Sequence, residues 1–117
     1  MAESFHDRAV SEIERGVLQM AVLALLTKRA YGYDLLRVLS DLGFPVEEGT
    51  LYPVLRRLEG EGLLRSEWDT SGARPRKYYE TTDTGRAALD ALAAEWSRVD
   101  AALRSILMTS SRTTHAG

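Results

Sequence analysis

The chain has no cysteine among its 117 residues, which excludes disulfide frameworks, thiolate zinc sites and cysteine nucleophiles together. Histidine is scarce too. His6 and His115 stand near opposite ends and form no metal-ligand pair at a useful spacing. There is no G-x-S-x-G, no G-x-x-x-x-G-K and no pair of carboxylates sharing a face, so neither catalysis nor a metal or cofactor is expected. The longest apolar run, Met20 to Leu26, falls far short of the ~18 residues of a membrane span. The opening M-A-E-S-F-H-D-R has no apolar segment of the secretory kind, and a cytoplasmic protein without membrane contact is the expectation. Nor is one sign of charge in excess, with 17 acidic against 15 basic side chains. A generally basic nucleic-acid coat is therefore excluded, but a local basic patch is not.

What the chain does have is helical periodicity. From about Glu12 to Lys28, Ile13, Val17, Met20, Leu23 or Ala24, and Leu26 recur at helical spacing and predict a buried helix. Arg29 to Gly32 interrupts it. Leu35, Leu36, Leu39 and Leu42 then mark one side of a second, shorter helix, which Gly43 and Pro45 end. A third helix is predicted from about Glu48 to Glu61. At 100° per residue, Leu51, Val54, Leu55 and Leu58 cluster on one side, and Pro53, Arg56, Arg57 and Gly60 point the other way. Pro53 is tolerable only near a helix start, which places the first turn at about Gly49 to Tyr52.

After Gly62 the period changes. Leu64 to Trp68 alternates and Arg76 to Thr81 is rich in strand formers, with the turn formers Asp69 to Pro75 between them, so a β-hairpin with a long loop is predicted. Tyr78 and Tyr79 must face opposite sides, which makes one of them core. Thr82 or Thr84 then caps a final helix. On it Leu89, Leu92, Trp96, Val99, Leu103 and Ile106 keep a heptad seam for about two and a half heptads, which predicts a homodimer. The tail from Thr109 to Gly117 is expected to be disordered.

The fold class expected is mainly α with a small β-hairpin. It comprises a winged helix-turn-helix DNA-binding domain over residues 1–81, a C-terminal dimerisation helix over 82–108 and a tail over 109–117. In that architecture the third helix enters the major groove of DNA and the hairpin lies along the backbone. Arg56 and Arg57 occupy the outward face of the third helix, and Arg74, Arg76 and Lys77 crowd the hairpin loop. Arginine suits bidentate contact with guanine or phosphate. From Glu47 to Tyr79, however, six basic side chains (Arg56, Arg57, Arg65, Arg74, Arg76, Lys77) meet six acidic ones (Glu47, Glu48, Glu59, Glu61, Glu67, Asp69). DNA binding thus depends on segregation of charge by face, and a protein-interaction adaptor without operator binding is the alternative.

The segments R-G-V-L at 15–18, Y-G-Y-D-L at 31–35, G-T-L-Y-P-V-L-R-R-L-E at 49–59, G-L-L at 62–64 and R-P-R-K-Y-Y-E-T-T at 74–82 resemble the PadR family of bacterial transcriptional regulators. The resemblance implies a homodimeric, usually autoregulating repressor, bound to a palindromic operator in double-stranded DNA and released by a small-molecule inducer. It implies that Thr50, Tyr52, Pro53 and Arg56 contact groove and backbone, and that R-P-R-K-Y-Y is the wing. The final helix also resembles that of multidrug-sensing members, which implies that Trp96 stacks planar ligands at the dimer interface, with Val99, Asp100, and Leu18 or Val22 lining the same space. The sequence departs from many relatives in its short wing loop and in having Ala73 where they have glycine.

Overall fold

The computed structural model describes residues 3–116, with side chains as far as residue 111. Its elements are α1 (Phe5–Leu25), β1 (Ala30–Tyr31), α2 (Gly32–Asp41), α3 (Glu48–Gly60), β2 (Leu64–Asp69), β3 (Arg76–Thr81) and α4 (Asp83–Ala116). The fold is mainly helical with a small antiparallel sheet in the order β1-β3-β2. The predicted hairpin forms with Leu64 opposite Thr81 and Asp69 opposite Arg76. Strand β1 is an addition to the predicted elements; it pairs Ala30 with Tyr79 and Tyr31 with Tyr78.

Two helices stop by the same device. The amides of Gly43 and Phe44 donate to the carbonyls of Ser40 and Leu39, and those of Gly62 and Leu63 donate to Glu59 and Leu58. Both glycines have positive φ, 89° and 78°, as this C-terminal motif requires. Helix α3 starts at Glu48, so Pro53 lies one turn inside it and removes a single intrahelical bond.

The core joins Leu18, Val22, Leu23 and Leu26 to Leu35 and Leu39 of α2, the inner face of α3, Leu64 and Tyr79. Each fully buried leucine contributes roughly 2 kcal/mol. The inner face of α3 is the predicted one: Leu51, Val54, Leu55 and Leu58 are all buried. Tyr79 is the core member of the tyrosine pair.

Helix α1 requires a correction. Its core face is Leu18, Val22 and Leu23, whereas Ile13, Val17, Met20 and Ala24 lie on the opposite side, where Ile13 is 59% exposed. The helix is apolar on two faces, and only one of them is buried within the chain. Leu42 of the predicted α2 stripe is likewise exposed, because it is already the helix C-cap.

The far end of α1 is tied to the base of the wing. The Thr81 amide donates to Leu26 O at 2.8 Å and its hydroxyl to Leu23 O at 2.8 Å, and Arg86 Nη2 donates to Thr27 O at 3.1 Å. Unsatisfied carbonyls at a helix end are thereby paired by groups of other elements. Of the two candidate caps of α4, Thr82 and Thr84, Thr82 serves: its hydroxyl accepts from the Gly85 amide at 3.0 Å and donates to Gly62 O at 2.7 Å.

Helix α4 continues past Met108 to Ala116, where a disordered tail was expected. The correction has a simple cause, since neither glycine nor proline interrupts the chain between Arg86 and Ala116. Gly117 lies outside the described residues. At 34 residues the helix is about 51 Å long, and much of it stands clear of the winged-helix body. Leu89 packs on the core, but Leu92, Trp96, Val99, Leu103 and Ile106 are 41–62% exposed along one seam.

Candidate nucleic-acid interface

Helix α3 presents a graded outer surface. Its order around the helix, from the wing side to the α1 side, is Tyr52, Arg56, Pro53, Arg57 and Thr50. Tyr52 is half-buried against Gly32, where an added Cβ would come within 3.2 Å of both Tyr52 Cε1 and Tyr79 Cε2. Burial pushes the Tyr52 phenol pKa up, with Glu48 adding to the shift. The other four are exposed.

Two grooves flank this surface. One, of about 840 Å³, lies between α2, α3 and the wing, and it gathers Tyr33, Tyr52, Trp68, Arg74, Arg76 and Lys77. The other, of about 540 Å³, lies between α1 and α3, and Thr50, Pro53 and Arg57 border it with Glu14, Arg15 and Glu47. Of the residues expected to meet DNA, Tyr52 and the wing cations therefore share one groove, and Thr50, Pro53 and Arg57 share the next. Arg56 stands on the ridge between them.

The balance of six cations against six acids resolves by face. On the outer side of the sheet Arg65 is bonded to Glu80 at 2.9 Å, Arg29 lies 3.9 Å from Glu67, and the Tyr31 hydroxyl donates to Asp69 at 2.8 Å. Glu59 accepts from the Ser66 hydroxyl and pairs with Lys77 at 3.8 Å. Among the described residues Arg56, Arg57 and Arg74 form no ion pair. Arg74 thus borders the wing groove, Arg57 the α1 groove and Arg56 the ridge between them; Glu59, Glu67 and Asp69 are held by neighbours, whereas Glu14 and Glu47 border the α1 groove beside Arg57. Arg76 stacks over the Tyr31 ring at 4.9 Å, and Lys77 is shared between Glu59 and the faces of Trp68 and Tyr79.

A layered stack holds the wing to the body. The rings of Tyr31 and Tyr78 lie 4.1 Å apart at 19°, with the Arg29 guanidinium 3.9 Å above Tyr78 and Arg76 on the other side. Asp69 also accepts from the Ser71 hydroxyl and amide, which opens the wing loop. These bonds, Ser71 first and then Tyr31, hold the Asp69 pKa down to about 2. The Tyr78 hydroxyl, then Asp69, push the Tyr31 pKa up to about 12.

A model of the PadR-like transcriptional regulator family matches residues 22–91, which spans α2, α3, the wing and the start of α4. The chain belongs to this family. As a PadR-like protein it is a transcriptional regulator and not an enzyme. A transcriptional regulator of Mycobacterium tuberculosis is 40% identical over 79 residues, covering 67% of this chain and 74% of that protein. The crystal structure of a PadR family regulator from Eggerthella lenta is 48% identical with a TM-score of 0.81, over 86% of this chain and 89% of that one. A PadR-like transcription factor from Bacteroides fragilis is 36% identical with a TM-score of 0.73, over 86% and 99%. Membership displaces the adaptor alternative.

The residues expected to line an interfacial ligand site stand in two separate places in this PadR-like chain. Trp96 and Val99 are 45% and 46% exposed on the α4 seam. Asp100 is beside them and is paired with Arg104 at 3.0 Å. Leu18 and Val22 are elsewhere, 1% and 0% exposed inside the core, because they lie on the inner face of α1. A ligand meeting α1 from outside would touch the Val17 and Met20 side instead. Trp68 and Tyr33, which the sequence reading does not single out, line the groove between α2, α3 and the wing. The alternation of Leu64, Ser66 and Trp68 on one strand face was the available signal for the first.

Proposed function

We propose that this PadR-like protein is a homodimeric repressor that binds a palindromic operator, including one upstream of its own gene, in the bacterial cytoplasm. The observation that carries the reading is the segregation of charge on the wing side: among the described residues Arg56, Arg57 and Arg74 form no ion pair, while Glu59, Glu67 and Asp69 are tied by neighbours and Asp34 is the one acid on the wing groove. Thr50, Tyr52, Pro53 and Arg56 contact the major groove and its backbone, Arg57 assists, and Arg74, Arg76 and Lys77 of the wing meet phosphates. The exposed seam from Leu92 to Ile106 zips onto a second copy, which holds the two α3 helices about one duplex turn, ~34 Å, apart.

Release by an inducer follows from the same seam. Two tryptophans are too bulky for tight packing at one level of a two-stranded coil, so paired Trp96 rings leave a space in which a planar, hydrophobic or cationic ligand stacks, with Val99 and Asp100 alongside. A ligand that fits one dimer spacing better than another shifts the population away from the operator-binding state.

The test is binding of the duplex upstream of the chain's own gene, followed by anisotropy across a salt series. Arg56→Ala and the triple Arg74, Arg76, Lys77→Ala variant should each weaken binding, and the triple variant should flatten the salt dependence by about one unit for each phosphate no longer neutralised. Parent-like affinity in both variants refutes the groove and wing assignments. Planar cationic dyes should quench Trp96 emission, and an unchanged response in Trp96→Ala refutes the ligand seat.

A further inference from the structure

The groove between α2 and the wing has two aromatic jaws that none of the contacts assigned above uses. Trp68 sits on the inner face of β2, in the row Leu64, Ser66, Trp68. Leu64 is in the core at 2% exposure and Ser66 is bonded to Glu59, whereas Trp68 stands beyond the last core residue at 59% exposure. Across the groove, Tyr33 is 70% exposed in the first turn of α2, a helix whose N-cap residue Tyr31 supplies no side-chain bond. Both line the same volume of about 840 Å³.

Leaving an indole in water sacrifices roughly the 2–3 kcal/mol its burial would contribute, and the strand offered a polar alternative at no structural cost. What surrounds the exposed ring is cationic: Arg74, Arg76 and Lys77 border the groove against the single acid Asp34, and Lys77 Nζ lies 5.8 Å from the Trp68 ring centre. A groove with apolar faces on both walls and cations along the rim matches one polymer chemistry well. The deoxyribose of a DNA strand offers flat apolar faces, its phosphates offer the charge, and the indole N–H is a donor with no acceptor needed inside the protein.

We propose that Trp68 and Tyr33 grip one sugar–phosphate strand of duplex DNA from opposite walls of this groove, the ring faces packing on deoxyribose and the indole N–H donating to a phosphate oxygen. The contact positions the wing and carries no base specificity. It rests on the DNA-binding reading above, and it adds a non-ionic component to what would otherwise be charge neutralisation alone. Trp68 is an anchor of the kind that dominates interfaces when desolvated, and removing it should cost about ten-fold in affinity.

The experiment uses the full-length dimer with two duplexes, the one upstream of its own gene and a random-sequence duplex of about 40 base pairs, roughly four helical turns. Parent, Trp68→Ala, Trp68→Phe and Tyr33→Ala are titrated across a salt series, after circular dichroism has shown each to be folded. Trp68→Ala should weaken binding to both duplexes by about ten-fold with an unchanged salt slope, and Trp68→Phe should recover most of the loss. The emission difference between parent and Trp68→Phe isolates Trp68, and it should become protected from acrylamide on adding either duplex. Parent-like affinity in Trp68→Ala, a slope that falls by a full unit, or unchanged acrylamide access each overturns the jaw while the DNA-binding reading stands. Failure of the parent to bind either duplex in a salt-sensitive way overturns the reading beneath it.

Discussion

Gly85 decides how α4 leaves the winged-helix body, and its replacement gives a sharp test. A Cβ built on Gly85 would lie 2.2 Å from Leu63 O and 2.7 Å from Thr81 Cγ2. Neither obstacle is the free end of a flexible chain. Leu63 O already accepts the Thr82 amide at 3.0 Å, and Thr81 is pinned to α1 through both its amide and its hydroxyl. Gly85→Ala must therefore push the start of α4 outward by about 1 Å to reach ordinary contact, at an overpacking cost of about 1–3 kcal/mol. The intrinsic helix preference of alanine returns at most ~1 kcal/mol, and less in a first turn. The net expectation is a loss of about 2 kcal/mol, a fall in Tm of roughly 8 °C for a chain of this size. Gly60→Ala is the control, since its Cβ meets nothing within 4 Å, and it should hold or raise Tm by up to about 3 °C. Thermal unfolding followed by circular dichroism at fixed protein concentration reads both. If Gly85→Ala melts with the parent, the close backbone approach of α4 to Leu63 is wrong. Because the same contact aims α4, Gly85→Ala should also weaken operator binding beyond what its reduced stability explains.

Two further outcomes follow from the exposed seam and from the wing anchor. Leu103→Asp places two carboxylates opposite each other at a seam position that is 49% exposed in the single chain, and it should convert the protein to monomer in sedimentation equilibrium; a persisting dimer means that another surface pairs the chains. Tyr31→Phe removes the bond to Asp69 at 2.8 Å and should loosen the wing, read as faster amide exchange in β2 and β3. A lowered carboxylate stabilises above its ordinary value of 3.8 and loses that contribution as pH falls through about 2, and a raised phenol stabilises below 10.0 and loses it as pH rises through about 12. The difference between parent and Tyr31→Phe should therefore be flat from about pH 5 to 9 and vanish near pH 2. A strong change within the flat window would show that another group holds the wing.

Much of the fold was legible because it is local. The inner face of α3 follows from spacing alone, and Gly43 and Gly62 end their helices because a positive φ is cheap only for glycine. The hairpin follows from a change of period. Strand β1 was not legible, since two residues become a strand only by pairing with Tyr78 and Tyr79. The inward stripe of α1 was not legible either, because the helix carries two apolar stripes and periodicity ranks neither above the other. Leu18 and Val22, expected at the ligand seat, belong to the core for that reason.

By itself the sequence determined the order of the helices, the turn points and the outward-facing side of α3, because each rests on neighbours within a few positions along the chain. Tertiary structure decided which face of α1 turns inward, which of six cations remain uncommitted, and where Trp68 stands relative to Tyr33. Those outcomes depend on residues far apart in sequence meeting across a core, and pairing of that kind leaves no period to read.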